Sequence, residues 1–231
     1  MTNVLSRTAA SAAVESIGWR YLLGAFSTSI RVTSLAHAAD VAAVIIAACG
    51  DAADHHLVVD VRAGRVEATL MDDALAAVTQ HDVELAHAVT AAVVGLGLTT
   101  GGASTELADD DRPVQALELA IDAIDIPAIR PFWKAVMAYV DEPGHTGDTD
   151  PLVDPVRQGP SIWFQQMDAP RPQRNRIHLD LTVSHDEGRR RVDAALAAGG
   201  RLVDDQWARA FWVLADVEGN EVCVCTWQDR D

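Results

Sequence analysis

Basic residues are scarce in this chain. Lysine and arginine number 18 against 34 aspartates and glutamates, a formal net charge of −16. Nucleic-acid binding rests on neutralising phosphates, and attachment to an anionic lipid surface needs clustered positive charge, so both partners are excluded as expectations. Cysteines are few and odd in number, Cys49, Cys223 and Cys225. That count fits a reducing cytoplasm better than a disulfide framework. No segment approaches the roughly 18 continuous apolar residues of a membrane span. Residues 1–15 contain Arg7 but no long apolar run, so no export signal is expected. What is present is a 231-residue chain that is 49% hydrophobic, enough for one large or two small domains with proper cores.

The first half reads as helices alternating with paired strands. Residues 5–15 are alanine-rich and compatible with a helix, and Gly18 ends the run. Residues 19–23 and 25–32 read as two strands separated by Gly24. Thr33 or Ser34 can cap a helix to Cys49, with Leu35, Ala38, Val41, Ala42 and Ile45 at helical spacing and Gly50 as its stop. Then comes Asp54-His55-His56, followed by two β-rich runs, 57–62 and 65–70, hinged on Ala63-Gly64. Thr79 is a plausible cap for a helix to about Val94, and Asp82, three residues on, makes a capping-box variant. A glycine- and threonine-rich stretch from Gly95, with acidic residues 106–111 behind it, reads as a linker. The order implies an α+β unit, a four-stranded antiparallel sheet covered by helices.

The histidine pair carries the chemistry of this half. Histidine is the side chain whose ordinary titration lies near neutrality, so two placed imidazoles are a proton-handling device. Two solvated histidines in a helix-to-strand loop are the plainer reading. Trp19, the Phe26 strand, the next helix, His55-His56, the strand pair ending Val66-Glu67-Ala68-Thr69-Leu70, and Thr79-x-x-Asp82 together resemble the pterin-4a-carbinolamine dehydratases over residues 17–95. The resemblance implies a pterin site at His55 and His56, with Asp82 beside it. Two positions depart from the family pattern. The proline after the histidine pair is Leu57, and the Thr-His pair after the second strand falls on Asp72-Asp73, so the third histidine becomes Asp73. His55 and His56 can still supply acid and base. Asp73 could act as a base only with a raised pKa, and the plain alternative for Asp72-Asp73 is a solvated turn. His81 is a substitute nearby in sequence, but the sequence does not place it in the site.

The second half repeats. Residues 114–122 read as a strand, and 127–139 as a helix in which Pro127 suits the first turn and Pro131 marks a late start. Polar turns follow to 159, with short extended pieces near Leu152-Val153, then a strand over 161–167. The second copy has a strand over 176–183, a helix from Asp186 to Gly199-Gly200, and strands over 201–204, 208–214 and 221–227, the last preceded by the turn Val217-Glu218-Gly219-Asn220. Two copies of a βαβββ module imply paired modules sharing one cleft. The domains are therefore expected at 1–97 and 113–231, with 98–112 between them.

Phe164-Gln165-Gln166, Asn175-Arg176-Ile177-His178-Leu179-Asp180-Leu181 and Asp216-Val217-Glu218-Gly219-Asn220-Glu221-Val222-Cys223 resemble the glyoxalase-like domains of the vicinal-oxygen-chelate superfamily. In metal-binding members the ligands come from the opening and closing strands of each module. The resemblance places His178 and Glu118 at opening-strand positions, and Gln165 or Gln166 and Cys223 at closing-strand ones. Histidine and glutamate are competent ligands for a divalent metal, glutamine a weak one. His178 read without the resemblance is a hydrogen-bonded cleft histidine. Trp163, Gln166 and Trp212 are candidate linings of an apolar ligand cleft, or ordinary core.

Three functions follow from these readings. The first is a cytoplasmic lyase dehydrating a pterin-type carbinolamine, fused to a glyoxalase-like small-ligand domain. The second is a non-catalytic protein that binds or sequesters a small pterin-like or apolar molecule. The third is metal-dependent lyase, isomerase or dioxygenase chemistry in the C-terminal cleft. The family resemblances imply a homo-oligomer.

Overall fold

The computed structural model describes residues 4–101, 114–170 and 177–230, and it divides between Ala116 and Leu117 into two compact units. The acidic run 106–111, and Asn175 and Arg176 of the second resemblance, lie outside the described residues.

In the first unit α1 (Arg7–Val14) is followed by β1 (Arg20–Leu22), β2 (Ala25–Arg31), α2 (Leu35–Cys49), the single turn α3 (Ala53–His56), β3 (Leu57–Arg62), β4 (Arg65–Leu70) and α4 (Gln80–Gly95). The sheet is antiparallel in the order β1-β2-β4-β3. Strand alternation sends Phe26, Ile30, Val66, Ala68 and Leu70 into the core against Val41 and Ile45 of α2 and Val89 and Val93 of α4. Trp19, fully buried, keeps its indole N–H satisfied by donating to Thr90 Oγ1 at 2.9 Å. Ser34 caps α2 by accepting from the His37 amide, as its sequence position predicts.

The segment Leu35–His56 is long and apolar enough by length and composition to cross a membrane, although no 18 of its residues in a row are apolar. It is not one continuous α-helix: a 3-10 turn at Gly50–Ala52 separates α2 from α3, and α2 lays Ala38, Val41, Ala42 and Ile45 on the sheet.

The expected linker start is also part of the fold. Gly101 donates its amide to Ser29 of β2 at 3.0 Å, and Thr100 Oγ1 donates to the Ile17 carbonyl at 2.7 Å. The two strands of chain cross so closely that a Cβ on Gly101, at φ 92°, would stand 2.7 Å from the Gly18 carbonyl oxygen. Residues 98–101 therefore close the first unit instead of leaving it.

The second unit has β5 (Glu118–Ala123), α5 (Ile126–Met137), β6 (Val140–Asp141), β7 (Leu152–Val153), β8 (Ser161–Gln166), β9 (Asp180–Thr182), α6 (His185–Ala197), β10 (Arg201–Asp204), β11 (Phe211–Ala215) and β12 (Glu221–Cys225). Its sheets run β5-β8-β7-β6 and β10-β11-β12-β9, each with one parallel pair, β5 with β8 and β9 with β12. These are the two βαβββ modules, and the fold is α+β throughout. One core spans both, with Ile129, Phe132, Trp133 and Val136 of α5 meeting Val192, Ala195, Trp212 and Leu214.

Pro131 does not delay α5. The helix starts at Ile126, with Asp125 accepting from the Ala128 amide, and carries Pro131 on its exposed side. One ladder bond is lost, offset by a buried face of Ile126, Ile129, Phe132, Trp133 and Val136.

Asp216-Val217-Glu218-Gly219-Asn220 is the staple between the modules. Asp216, fully buried, accepts from the Trp133 indole (3.0 Å), the Glu218 and Asn220 amides (3.0 and 2.9 Å) and Asn220 Nδ2 (2.9 Å). The Glu218 carboxylate accepts from the amides of Ile124 and Asp125 at the start of α5, where a negative charge meets the positive helix end.

Asp141 accepts from Arg130 Nη2 and Lys134 Nζ, each at 2.7 Å. The Lys134 and Arg130 hydrogen bonds hold its carboxyl below the ordinary carboxylate value. A carboxyl lowered by folding contributes stability that is complete above its unfolded value, about 4, and is lost as pH falls through the lower folded value. Asp141→Asn is expected to flatten the acid limb of the C-terminal unit's stability curve. Urea midpoints between about pH 2 and 5 read this; an acid limb as steep as in the wild type shows that the pairing contributes nothing.

Candidate functional site

The site in the first unit is assembled by a ladder that continues past its strands. β3 and β4 pair with Leu57 opposite Leu70, so the residues just before β3 lie beside those just after β4. The Met71 amide donates to the His56 carbonyl at 2.9 Å and the Asp73 amide to the His55 carbonyl at 3.0 Å. That register brings Asp73 to His55, Nδ1 to Oδ2 3.3 Å, with both side chains well exposed. The position at which the resemblance implies a third histidine is a carboxylate in ion-pair reach of His55.

His56 faces a different partner. Its Nδ1 lies 2.8 Å from Oδ1 of Asp82, whose residue is fully buried, while the imidazole itself is 13% exposed. The other oxygen of Asp82 accepts from the Thr79 amide (2.7 Å) and hydroxyl (2.8 Å). Thr79 in turn caps α4 by accepting from the His81 amide. The capping box read from sequence is thus one half of a carboxylate that also holds a histidine. A carboxylate only accepts, so the proton on His56 is assigned to Nδ1, which leaves Nε2 with a lone pair. That is the arrangement of an oriented base.

His81 joins this group. Its ring stands edge-on to His56, centroids 5.1 Å apart and planes at 86°, and it is half exposed with Nδ1 3.7 Å from the Glu84 carboxylate. Its position in sequence does not by itself place it there. The signal was available: an Asp82–His56 contact necessarily brings the first turn of α4, and hence its neighbouring side chains, to the same ring.

The candidates of the second unit do not converge. Because β5 and β8 are parallel, Glu118, Ala120 and Asp122 share a face with Ser161, Trp163 and Gln165, while Ile121 and Ala123 share the helix-side face with Ile162, Phe164 and Gln166. Gln166 is thus on the wrong face for the cleft, and its Nε2 donates to the carbonyls of Ile124 and Met167. It also pairs with Ala123, five residues beyond Glu118, which is roughly 16 Å along the strand. Glu118 accepts from the Ser161 hydroxyl at 3.2 Å instead. Trp212 lies in the helix-packed core at 6% exposure, because β11 turns Trp212 and Leu214 inward, so it lines no cleft. Trp163 is half-buried on the opposite face of its sheet.

His178 is exposed and precedes β9, which begins only at Asp180. Cys223 faces Asp180 across the parallel pair, and burial, reinforced by a hydrogen bond to Asp180, pushes its thiol up to about 12. Among the described residues no three histidine, cysteine, aspartate or glutamate side chains come together as a metal cage. The divalent metal that the resemblance implies is not matched by a ligand cluster among the described residues. Elemental analysis of the purified chain is expected to give well under one metal ion per chain, unchanged by His178→Ala. A stoichiometric metal lost in that variant would restore the metal reading.

Residues 118–225 match the family model "Glyoxalase-like domain", and the second unit is a glyoxalase-like domain. Several solved structures resemble one unit or the other. A glyoxalase/bleomycin resistance protein/dioxygenase family enzyme from Burkholderia phytofirmans is 18% identical, with 47% of this chain and 95% of that one covered at a TM-score of 0.39. A fosfomycin resistance protein, FosX, from Listeria monocytogenes, solved with Mn(II) and a dihydroxypropylphosphonic acid, is 10% identical over 48% of this chain and 90% of that one, TM-score 0.38. A transcriptional coactivator/pterin dehydratase from Brucella melitensis is 22% identical over 39% of this chain and 98% of that one, TM-score 0.35. None of the curated proteins matches the chain. The family match covers residues 118–225 alone and leaves the first unit outside it.

Proposed function

We propose that the first unit is a hydro-lyase that dehydrates a pterin-type 4a-carbinolamine, and that the glyoxalase-like unit holds a small molecule. The observation that carries this reading is His56, nearly buried and fixed through Nδ1 by Asp82, which assigns the lone pair to Nε2.

The reaction needs little more than proton transfer. The carbinolamine loses the proton on its ring nitrogen to a base, the nitrogen electrons form a C=N bond, and the C–O bond breaks as the hydroxyl takes a proton and leaves as water. His56 Nε2 is the acceptor. A second imidazole is the donor, and His55 and His81 both stand near His56 to supply one. Asp82 is a positioning residue, fixing the tautomer of His56. No metal, redox cofactor or covalent intermediate enters any of these steps.

The test is dehydration of a synthetic 4a-hydroxytetrahydropterin by the full chain, followed as formation of the quinonoid dihydropterin. Turnover above the buffer rate is expected. Saturable pterin binding with no turnover would instead support the sequestering reading, for which the exchange of histidine for Asp73 is the favouring feature.

A further inference from the structure

The sequence presents His55 and His56 as a pair, yet adjacent residues on a helix point about 100° apart and do not face one another. Both belong to the single turn α3. His55 turns to Asp73 with its side chain 74% exposed, and His56 turns inward to Asp82. The imidazole in ring contact with His56 comes from α4: His81, at 5.1 Å between centroids.

We propose that His81 is the proton donor to the leaving hydroxyl and works opposite His56, an inference that rests on the dehydratase reading above. Dehydration exchanges two protons at adjacent atoms of one small ring. The hydroxyl oxygen receives one as the C–O bond breaks and leaves as water, and the ring nitrogen gives one up as the C=N bond forms. The donor and acceptor must therefore address the same edge of the substrate. His56 and His81 do so from two elements whose separation is fixed, because Asp82 binds His56 through one oxygen and the Thr79 cap through the other. His81 stands two residues past that cap, and its half-exposed ring opens to solvent where a substrate can enter. After the step His56 carries the extra proton and His81 lacks one, and transfer between the rings or through water restores both. The histidine absent at Asp73 is on this account replaced by one from the next helix, and Asp73 serves to hold His55.

The experiment compares His81→Gln with His55→Ala in the full chain, on the same 4a-hydroxytetrahydropterin. His81→Gln is expected to lower kcat about 10²-fold or more with KM within about threefold, and His55→Ala to lower kcat less than about tenfold. A kcat loss in His55→Ala equal to or larger than that in His81→Gln overturns the assignment. A second measurement does not depend on turnover: imidazole NMR signals of the full chain with 7,8-dihydrobiopterin, a pterin lacking the 4a-hydroxyl. Signals of His56 and His81 moving together support the assignment. Movement of His56 with His55 while His81 stays silent overturns it and leaves the dehydratase reading standing. A chain that neither turns over nor shifts any histidine signal sinks both.

Discussion

Replacing His55 and His56 together by alanine is expected to lower the rate of carbinolamine dehydration by on the order of 10²–10⁴-fold, close to the rate in buffer. The size follows from what is removed. Neither the ring nitrogen nor the hydroxyl changes its proton readily in neutral water, and the acceptor held by Asp82 has its orientation fixed by a buried partner. The fold should survive the change. His55 is exposed, and without His56 the Asp82 carboxylate still accepts from the Thr79 amide and hydroxyl. The loss is therefore expected at about 1–2 kcal/mol in stability, far less than the chain's folding free energy. Initial rates for wild type and double variant, with the far-UV spectrum and thermal midpoint as controls, decide the matter. A folded double variant that dehydrates at the wild-type rate removes the histidine mechanism.

Asp82→Asn should separate proton chemistry from structure. An asparagine side chain can still offer a carbonyl oxygen to Thr79, so the capping box and the start of α4 persist. What it then turns towards His56 is an amide N–H₂, a donor. His56 Nδ1 must accept from it, the ring proton moves to Nε2, and the lone pair that takes the substrate proton is gone. Activity is expected to fall on the order of 10²–10⁴-fold, as when the orienting carboxylate of other histidine bases is made an amide. Stability should fall by less than in Asp82→Ala, where the buried Thr79 donors lose their acceptor and about 2–4 kcal/mol is expected. Full activity in a folded Asp82→Asn variant would show that the tautomer of His56 does not matter to the reaction.

Much of the fold was legible because its signals are local. Ser34 and Gly50 bound a helix whose apolar spacing repeats every three to four residues. Thr79 and Asp82 announced a capping box that is present with both of its bonds. The two βαβββ modules were visible as a repeat, and the histidine pair with its flanking strands carried the family resemblance. Where the reading went astray, a non-local term decided. Pro131 reads as a break until the buried face of α5 is counted. Residues 98–101 read as linker until Gly101 and Thr100 find Ser29 and Ile17. Trp212 and Gln166 read as cleft residues until strand pairing fixes which face each one takes.

The sequence by itself determined the elements, the α+β class and the identity of the imidazoles and carboxylates. Those are properties of residue type and spacing. Only the tertiary structure decided who meets whom. Two histidines side by side in the chain part company on the turn of α3, His55 to Asp73 through the extended β3–β4 ladder and His56 to Asp82 through the cap of α4. His81 arrives at His56 because one carboxylate, Asp82, bridges the helix cap and the imidazole. A side chain's partner is set by the packing of elements distant in the chain, and that packing is not written in any one stretch of it.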